Sequence, residues 1–153
     1  MKIRVYLLAL IMVALAVSAA AAGESNPQGP SMPSGPPPPK PIPANYIAVS
    51  PCVPGMGVHY VDVKRFPDPN SPIYGTYQGK PVFTEIMLVP KDLAAGKSWT
   101  NTLKPLPGYK IDHVDIEYEP HGHPGMTFAH YDVHAYYVSH ATHVKFCPGA
   151  PGM

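Results

Sequence analysis

Charge is scarce in this sequence of 153 residues. Only 14% of the residues are charged, and 11 Lys+Arg against 10 Asp+Glu give a net charge of +1, whereas soluble domains usually have roughly 25% charged residues. No block of like charges is present, so the sequence indicates neither a basic arm nor an acidic tail. This balance argues against binding by bulk phosphate neutralisation, and we expect no nucleic-acid partner.

The signatures of several common enzyme classes are also missing. The chain has no Gly-x-Ser-x-Gly elbow, no phosphate-binding glycine loop and no dinucleotide fingerprint. No long segment repeats its apolar residues with the period of a helix. The 22 prolines further argue against a helical bundle, because proline removes a backbone donor and clashes with the preceding helical turn.

The first 22 residues have the organisation of a signal peptide. Lys2 and Arg4 precede an apolar run at 5–17, and the small residues that follow predict cleavage after Ala20 or Ala22. A retained membrane anchor is the weaker alternative, because the run is shorter than the ~20 residues that a span prefers. We therefore expect no stable membrane insertion after cleavage and a mature protein that is secreted, periplasmic or bound to the cell envelope.

A proline-rich segment separates the signal peptide from the rest of the chain. Nine prolines lie between Pro27 and Pro43, with almost no apolar residue to bury, which is typical of an extended, disordered polyproline spacer. The sequence thus predicts a signal peptide at 1–22, a spacer at 23–45 and one folded domain at 46–153.

Short β-rich runs separated by Gly and Pro fill this last segment. They lie at 46–49, 58–63, 73–77, 82–89, 111–118, 131–138 and 142–147. One helical turn is predicted at 92–96, with Asp92 as its N-cap and Gly96 as its end. Runs of this length predict an all-β domain, a single small sandwich or barrel.

The only two cysteines, Cys52 and Cys147, lie near the two ends of the folded segment. Because exported proteins fold in oxidising compartments, we predict a disulfide between them. Closing a loop of about 95 residues would stabilise the fold by ~4–5 kcal/mol in the chain-entropy model. Two thiolates on a soft metal are the weaker alternative, since both would have to lie close to histidines.

Histidine is the residue type that points to chemistry, because seven of the eight lie between His113 and His143. His123 belongs to a Pro-His-Gly-His-Pro loop, and His130 and His134 flank a Tyr-Asp-Val strand segment. Alternate residues of a strand share a face, but these last two would lie ~13 Å apart in a regular strand. One ion could bind both only if the strand were irregular.

A buried carboxylate completes the predicted site. Glu85 interrupts an apolar strand, where an acid is costly to bury unless it is paired, protonated or metal-bound. Several histidines with one carboxylate suit zinc, copper, iron or manganese. We predict that one divalent metal is held by all or some of His59, Glu85, His123, His130 and His134, with Asp132 and Tyr60 beside the ligands. The alternative is that these histidines only pack and form hydrogen bonds around a polar seam.

Three histidines are left out of this prediction. His113, His140 and His143 lie outside the tight motif, and exposed strand or loop positions explain them.

Four segments together resemble an uncharacterised family of exported bacterial and archaeal proteins. They are Met-Gly-Val-His-Tyr at 56–60, Gly-Lys-Pro-Val-Phe-Thr-Glu at 79–85, Pro-His-Gly-His-Pro at 120–124 and His-Tyr-Asp-Val-His-Ala-Tyr at 130–136. The family includes a Thermus type controlled by an extracytoplasmic sigma factor. The resemblance implies a β-rich domain, the formation of homo-oligomers and an envelope-stress context, but no established reaction. Ala129 and Ala135 depart from the family's form of the last motif and leave its polar residues intact.

Two functions fit these observations. The first is an exported β-domain of unestablished activity that binds one divalent metal through a His/Glu cluster. The second is a non-catalytic envelope or cell-surface module for binding or assembly, with structural histidines.

Overall fold

The computed structural model of the chain describes residues 37–66, 68 and 70–149. The predicted signal peptide and most of the predicted spacer lie outside the described residues. The elements in chain order are β1 (Tyr46–Ala48), β2 (Val58–Asp62), β3 (Ile73–Tyr77), β4 (Lys80–Leu88), α1 (Pro90–Ala94), β5 (His113–Glu119), β6 (His130–Tyr136) and α2 (His140–His143). The predicted all-β class is confirmed.

The six strands form one antiparallel sheet with the order β1-β2-β3-β4-β6-β5. Chain order and sheet order agree except at the end, where β6 lies between β4 and β5. Glu85 of β4 therefore pairs with His134 of β6, and His134 pairs with Asp115 of β5. Because paired residues share a face, this register collects acids and histidines on one side of the sheet.

The opposite face carries an apolar cluster made of Ile42, Tyr46, Tyr60 and Leu106. Ile42 belongs to the end of the predicted spacer, and its backbone N–H donates to the carbonyl of Pro39. Packing against the sheet therefore begins a few residues before Tyr46, where the folded segment was predicted to start.

Gly75 makes room for an aromatic ring beside the histidines. It pairs with His59 on one side and with Phe83 on the other, and a Cβ at this position would lie 2.0 Å from the Phe83 ring. The ring instead contacts the imidazoles of His59 and His134, with centroid distances of 5.3 and 4.8 Å. The missing side chain of Gly75 thus lets Phe83 pack against two of the candidate ligands.

The first helix begins earlier than predicted. Its N-cap is Val89 and its first residue is Pro90, because the fixed φ of proline suits the first helical position. Asp92 lies in the first turn and accepts a hydrogen bond from Lys97 at 2.9 Å. Within the described part of the chain, no helix is long and apolar enough to cross a membrane.

The strand predicted at 142–147 is wrong, because helix α2 occupies the start of this segment. Burial explains the difference: His143, Phe146 and Cys147 are the buried positions, and a spacing of three and four residues fits helical turns rather than a strand. The predicted disulfide is confirmed, with Cys52 bonded to Cys147 at a Cα–Cα distance of 5.7 Å.

Candidate metal centre

Three buried side chains meet on the polar face of the sheet, and we call them the inner triad: His59, Glu85 and His134. Glu85 Oε2 lies 3.8 Å from His59 Nε2 and 3.5 Å from His134 Nε2. This oxygen has no hydrogen-bond partner within the described residues. The three elements β2, β4 and β6 thus each supply one possible ligand atom to the same point.

The outer nitrogens of both imidazoles face acceptors. Ser50 Oγ donates to the Pro51 carbonyl at 2.8 Å and lies 3.0 Å from His59 Nδ1. Because its proton is already donated, Ser50 accepts from Nδ1–H, which leaves His59 Nε2 as the free lone pair. His134 Nδ1 lies 3.4 Å from the Glu117 carboxylate, the partner that commonly orients a metal-bound histidine.

A second group lies next to it, and we call it the outer triad: His123, His130 and Asp132. His130 Nε2 lies 3.1 Å from Asp132 Oδ1, and His123 Nε2 lies 3.7 Å from Asp132 Oδ2. The two Nε2 atoms are 3.1 Å apart. His130 and Asp132 come from β6, whereas His123 is placed by a loop in which its backbone pairs with Met126.

Backbone carbonyls fix the protons of the outer triad. His130 Nδ1–H donates to the carbonyl of Phe128 at 2.7 Å, and His123 Nδ1–H donates to the carbonyl of Pro124 at 3.3 Å. In neutral imidazoles both Nε2 atoms therefore carry lone pairs, and these face each other and a carboxylate. Such a set of acceptors repels itself unless a proton or a metal cation lies between its members.

Both triads line one pocket of about 180 Å³. His59 and Glu85 of the inner triad and His123 and Asp132 of the outer triad contribute to its wall, together with Glu119 and apolar residues. Glu85 and Asp132 are diagonal neighbours across β4 and β6, because Glu85 pairs with His134. A pocket of this size leaves room for an ion with bound water.

Burial and mutual charge shift the pKa values of the inner triad. Burial opposes the charged form of Glu85, but His134 overcomes this effect and lowers its pKa to about 2. Burial likewise opposes the charge on His134, while Glu85 and Glu117 raise its pKa to about 10. Burial lowers the pKa of His59 to about 4. At neutral pH the metal-free inner triad is therefore a Glu85–His134 ion pair beside a neutral His59.

The carboxyl of the outer triad is protonated under the same conditions. Burial, and then the nearby charge of Glu85, raise the pKa of Asp132 to about 8. The protein thus holds a proton at the point where two histidine lone pairs face a carboxylate. A divalent cation would replace that proton.

Each triad consists of two histidines and one carboxylate. This is the ligand set of catalytic zinc sites with an open fourth position and of non-haem iron(II) sites. Metal–ligand bonds of 2.0–2.1 Å place the ligands of a tetrahedral ion about 3.3 Å apart. The triad distances of 3.1–3.8 Å lie around this value. The described residues therefore include groups that could hold a metal ion.

The predicted ligands occupy the pocket in two groups rather than one. The inner triad takes His59, Glu85 and His134, and His123 and His130 join Asp132 in the outer triad. Asp132, expected beside the ligands, is itself a member of the outer triad. Tyr60 lies elsewhere: it follows His59 in β2, so it packs in the apolar cluster on the opposite face.

Residues that sequence reasoning left aside also come together. His113, His140 and His143 meet Asp115 beside helix α2. His143 is buried, so an exposed position does not explain it. The alternation of His113, Asp115 and Glu117 along β5 was the available signal, but its relation to α2 depends on the tertiary fold.

The comparisons with known proteins include a solved structure that is similar to this chain. No protein-family model matches the chain. No curated protein matches it either. Among solved structures, the crystal structure of a hypothetical protein from Thermus thermophilus is similar, with a TM-score of 0.50 and 29% sequence identity over 60% of this chain and 86% of that one. The chain is therefore similar to a Thermus protein that is itself described as hypothetical.

Proposed function

We propose that the protein is an exported domain that binds a divalent cation in the pocket between the two triads, with zinc as the first candidate. The outer triad supplies the primary ligands His123, His130 and Asp132. The inner triad is a second position of the same composition, in which His134 supplies the positive charge when no metal is bound.

The arrangement of the imidazoles is the observation that supports this proposal. Four rings have their Nδ1 atoms directed at groups outside the pocket and their Nε2 atoms directed at Glu85 or Asp132. Histidines that merely pack in a core have no reason to share this orientation. Outer hydrogen bonds that fix the tautomer and leave Nε2 free are a regular feature of metal sites.

Export is part of the same proposal. The disulfide and the absence of a membrane-spanning helix among the described residues are compatible with an exported protein. The N-terminal sequence has the organisation of a signal peptide. We further propose that the protein acts in the envelope-stress context implied by the resemblance to the sigma-factor-controlled Thermus type. Fractionation of expressing cells and the intact mass of the secreted chain test the export, and we expect the N-terminus of the mature chain to follow Ala20 or Ala22.

Metal content tests the central part of the proposal. The chain from Gly23 onward, with its disulfide intact, is loaded with zinc, dialysed and assayed by inductively coupled plasma and native mass spectrometry. Asp132→Asn keeps the shape of the side chain but cannot release a proton to become a carboxylate ligand, and we expect it to lose the ion of the outer triad. His121→Ala is the matched control, because this exposed histidine belongs to the same loop and to neither triad. Equal zinc content in both variants would contradict the proposal.

A second candidate function, self-assembly, is favoured by the outer face of β5. Val114, Ile116 and Tyr118 alternate along this strand and are 47%, 66% and 50% exposed, and β5 is last in the order of the described sheet. A free strand edge with an apolar face is a template for pairing with a second copy of the chain. Light scattering should then give a dimer that Ile116→Lys dissociates and Val49→Lys, at an exposed valine outside β5, leaves intact. A monomeric parent protein would exclude this function.

A further inference from the structure

A separate group of metal-binding side chains lies where β5 meets α2. We call His113, Asp115, His140 and His143 the C-terminal clamp. Asp115 Oδ2 lies 3.7 Å from His113 Nε2, 3.6 Å from His140 Nδ1 and 3.4 Å from His143 Nε2. His140 Nδ1 lies 3.0 Å from His143 Nε2. These values scatter around the ligand spacing of about 3.3 Å in a tetrahedral zinc site.

Hydrogen bonds to groups outside the clamp fix the Nδ1 protons of two of its imidazoles. His143 Nδ1–H donates to the carbonyl of Gly55 at 2.9 Å, and His113 Nδ1–H donates to the carboxylate of Asp112 at 3.0 Å. Both Nε2 atoms are therefore lone pairs in the neutral rings. His113 Nε2 is buried and has no hydrogen-bond partner in the part of the chain that the structure describes. Of the three neutral imidazoles, His140 is the one whose Nδ1 can carry a proton toward this set of acceptors, and one proton cannot satisfy them all.

We propose that the clamp binds a zinc ion through three histidines and one aspartate, and that this ion has a structural role. His140 and His143 lie one turn apart on α2, and His113 and Asp115 share a face of β5. Four protein ligands close the coordination sphere, as in structural rather than catalytic zinc sites. The ion would fasten α2 to β5 just before Cys147, so that metal and disulfide together hold the C-terminal segment.

The clamp does not depend on the pocket. The ring of Tyr136 stacks on His143 with a centroid distance of 3.9 Å and on His134 of the inner triad with 5.6 Å. Tyr136 therefore contacts both the pocket residues and the clamp, but the two groups have no ligand in common. If the pocket binds no metal, the clamp should still bind one ion.

The test uses the disulfide-bonded chain from Gly23 onward with zinc and with cobalt(II), whose visible absorption reports tetrahedral coordination. His140→Ala is the main variant, because the His140 side chain is 67% exposed and its loss does not open the core. His121→Ala is the exposed control. We expect His140→Ala to bind one zinc fewer than the control and to lose the part of the tetrahedral cobalt absorption that the clamp contributes. With zinc at about 100 times the Kd of the clamp, its rise in Tm should be smaller than that of the control by on the order of 10 °C.

A second variant separates metal binding from simple packing. Asp112→Asn keeps the side-chain shape but weakens the hydrogen bond that orients His113, and loss of such an outer partner should weaken zinc binding by ~10–100-fold. Asp132→Asn in the pocket should leave the clamp ion in place. The proposal is overturned if His140→Ala and the control bind the same number of zinc ions with the same affinity. It is also overturned if Asp132→Asn lowers the tetrahedral cobalt absorption and His140→Ala does not.

Discussion

Replacing Glu85 by Gln removes the charge that balances His134 in the buried inner triad. The two groups lie 3.5 Å apart, and both are almost completely buried. The variant keeps the size of the side chain, so the packing of β4 changes little. In metal-free protein we therefore expect a loss of stability that is electrostatic in origin and depends on pH.

The structure gives the size and the pH window of this loss. The pKa of Glu85 falls from 4.5 to about 2, which at 1.36 kcal/mol per unit corresponds to about 3 kcal/mol and agrees with the 3–5 kcal/mol that breaking a buried ion pair costs. The Glu85 contribution is present above pH 4.5 and is lost as pH falls through about 2. The pKa of His134 rises from 6.5 to about 10, so its contribution is present below pH 6.5 and is lost as pH rises through about 10.

The difference between parent and variant should therefore be largest between pH 4.5 and 6.5. Urea denaturation with a chelator present at pH 3, 5.5 and 9 measures it. Glu119→Gln is the matched control, because Glu119 lines the pocket and forms no inner-triad contact; it should change stability by less than about 0.5 kcal/mol. A Glu85→Gln effect below about 1 kcal/mol at pH 5.5, or one that is the same at all three pH values, would refute the reasoning.

Three further predictions follow from the same geometry. Gly75→Ala should destabilise the protein by ~1–3 kcal/mol in thermal denaturation, since the new methyl group collides with Phe83, and adding Phe83→Leu should restore part of the loss; failure of this rescue would exclude the collision as the cause. Reducing the Cys52–Cys147 bond, with a sequence separation of 95, should cost ~4–5 kcal/mol, and an unchanged urea midpoint after reduction would contradict this estimate. Zinc binding below pH 8 should release about one proton per outer-triad ion, because the pKa of Asp132 is about 8, and calorimetry in buffers of different ionisation heat measures this number. The zinc affinity should accordingly rise by about tenfold per pH unit up to pH 8, and an affinity that is independent of pH would contradict the prediction.

Local patterns were sufficient to predict most of the strands. The runs that became β2, β3 and β4 are bounded by Gly and Pro and are rich in β-branched and aromatic residues, so propensity and burial agree there. The segment at 142–147 failed because its β-forming residues lie among positions that pack with helical spacing. The order of the strands in the sheet could not be predicted, since the insertion of β6 between β4 and β5 depends on contacts between residues distant in sequence.

The candidate site was predictable in residue type and less so in grouping. A carboxylate in an apolar strand pointed to Glu85, and two histidines four residues apart pointed to His130 and His134. The separation of His130 from His134 indicated that a single ion could not contact both in a regular strand, and the two histidines lie in different triads. The clamp was missed because the end of α2 was expected to belong to a strand at 142–147, which hid the one-turn spacing of its two histidines.

Anomalous diffraction from zinc-loaded crystals of the disulfide-bonded protein would show directly whether the pocket binds zinc. We expect a peak at the zinc absorption edge in the pocket, about 2.0–2.1 Å from His123 Nε2, His130 Nε2 and an oxygen of Asp132. A peak confined to surface histidines such as His121, with the pocket free of anomalous signal, would contradict the proposal that this pocket is a metal centre.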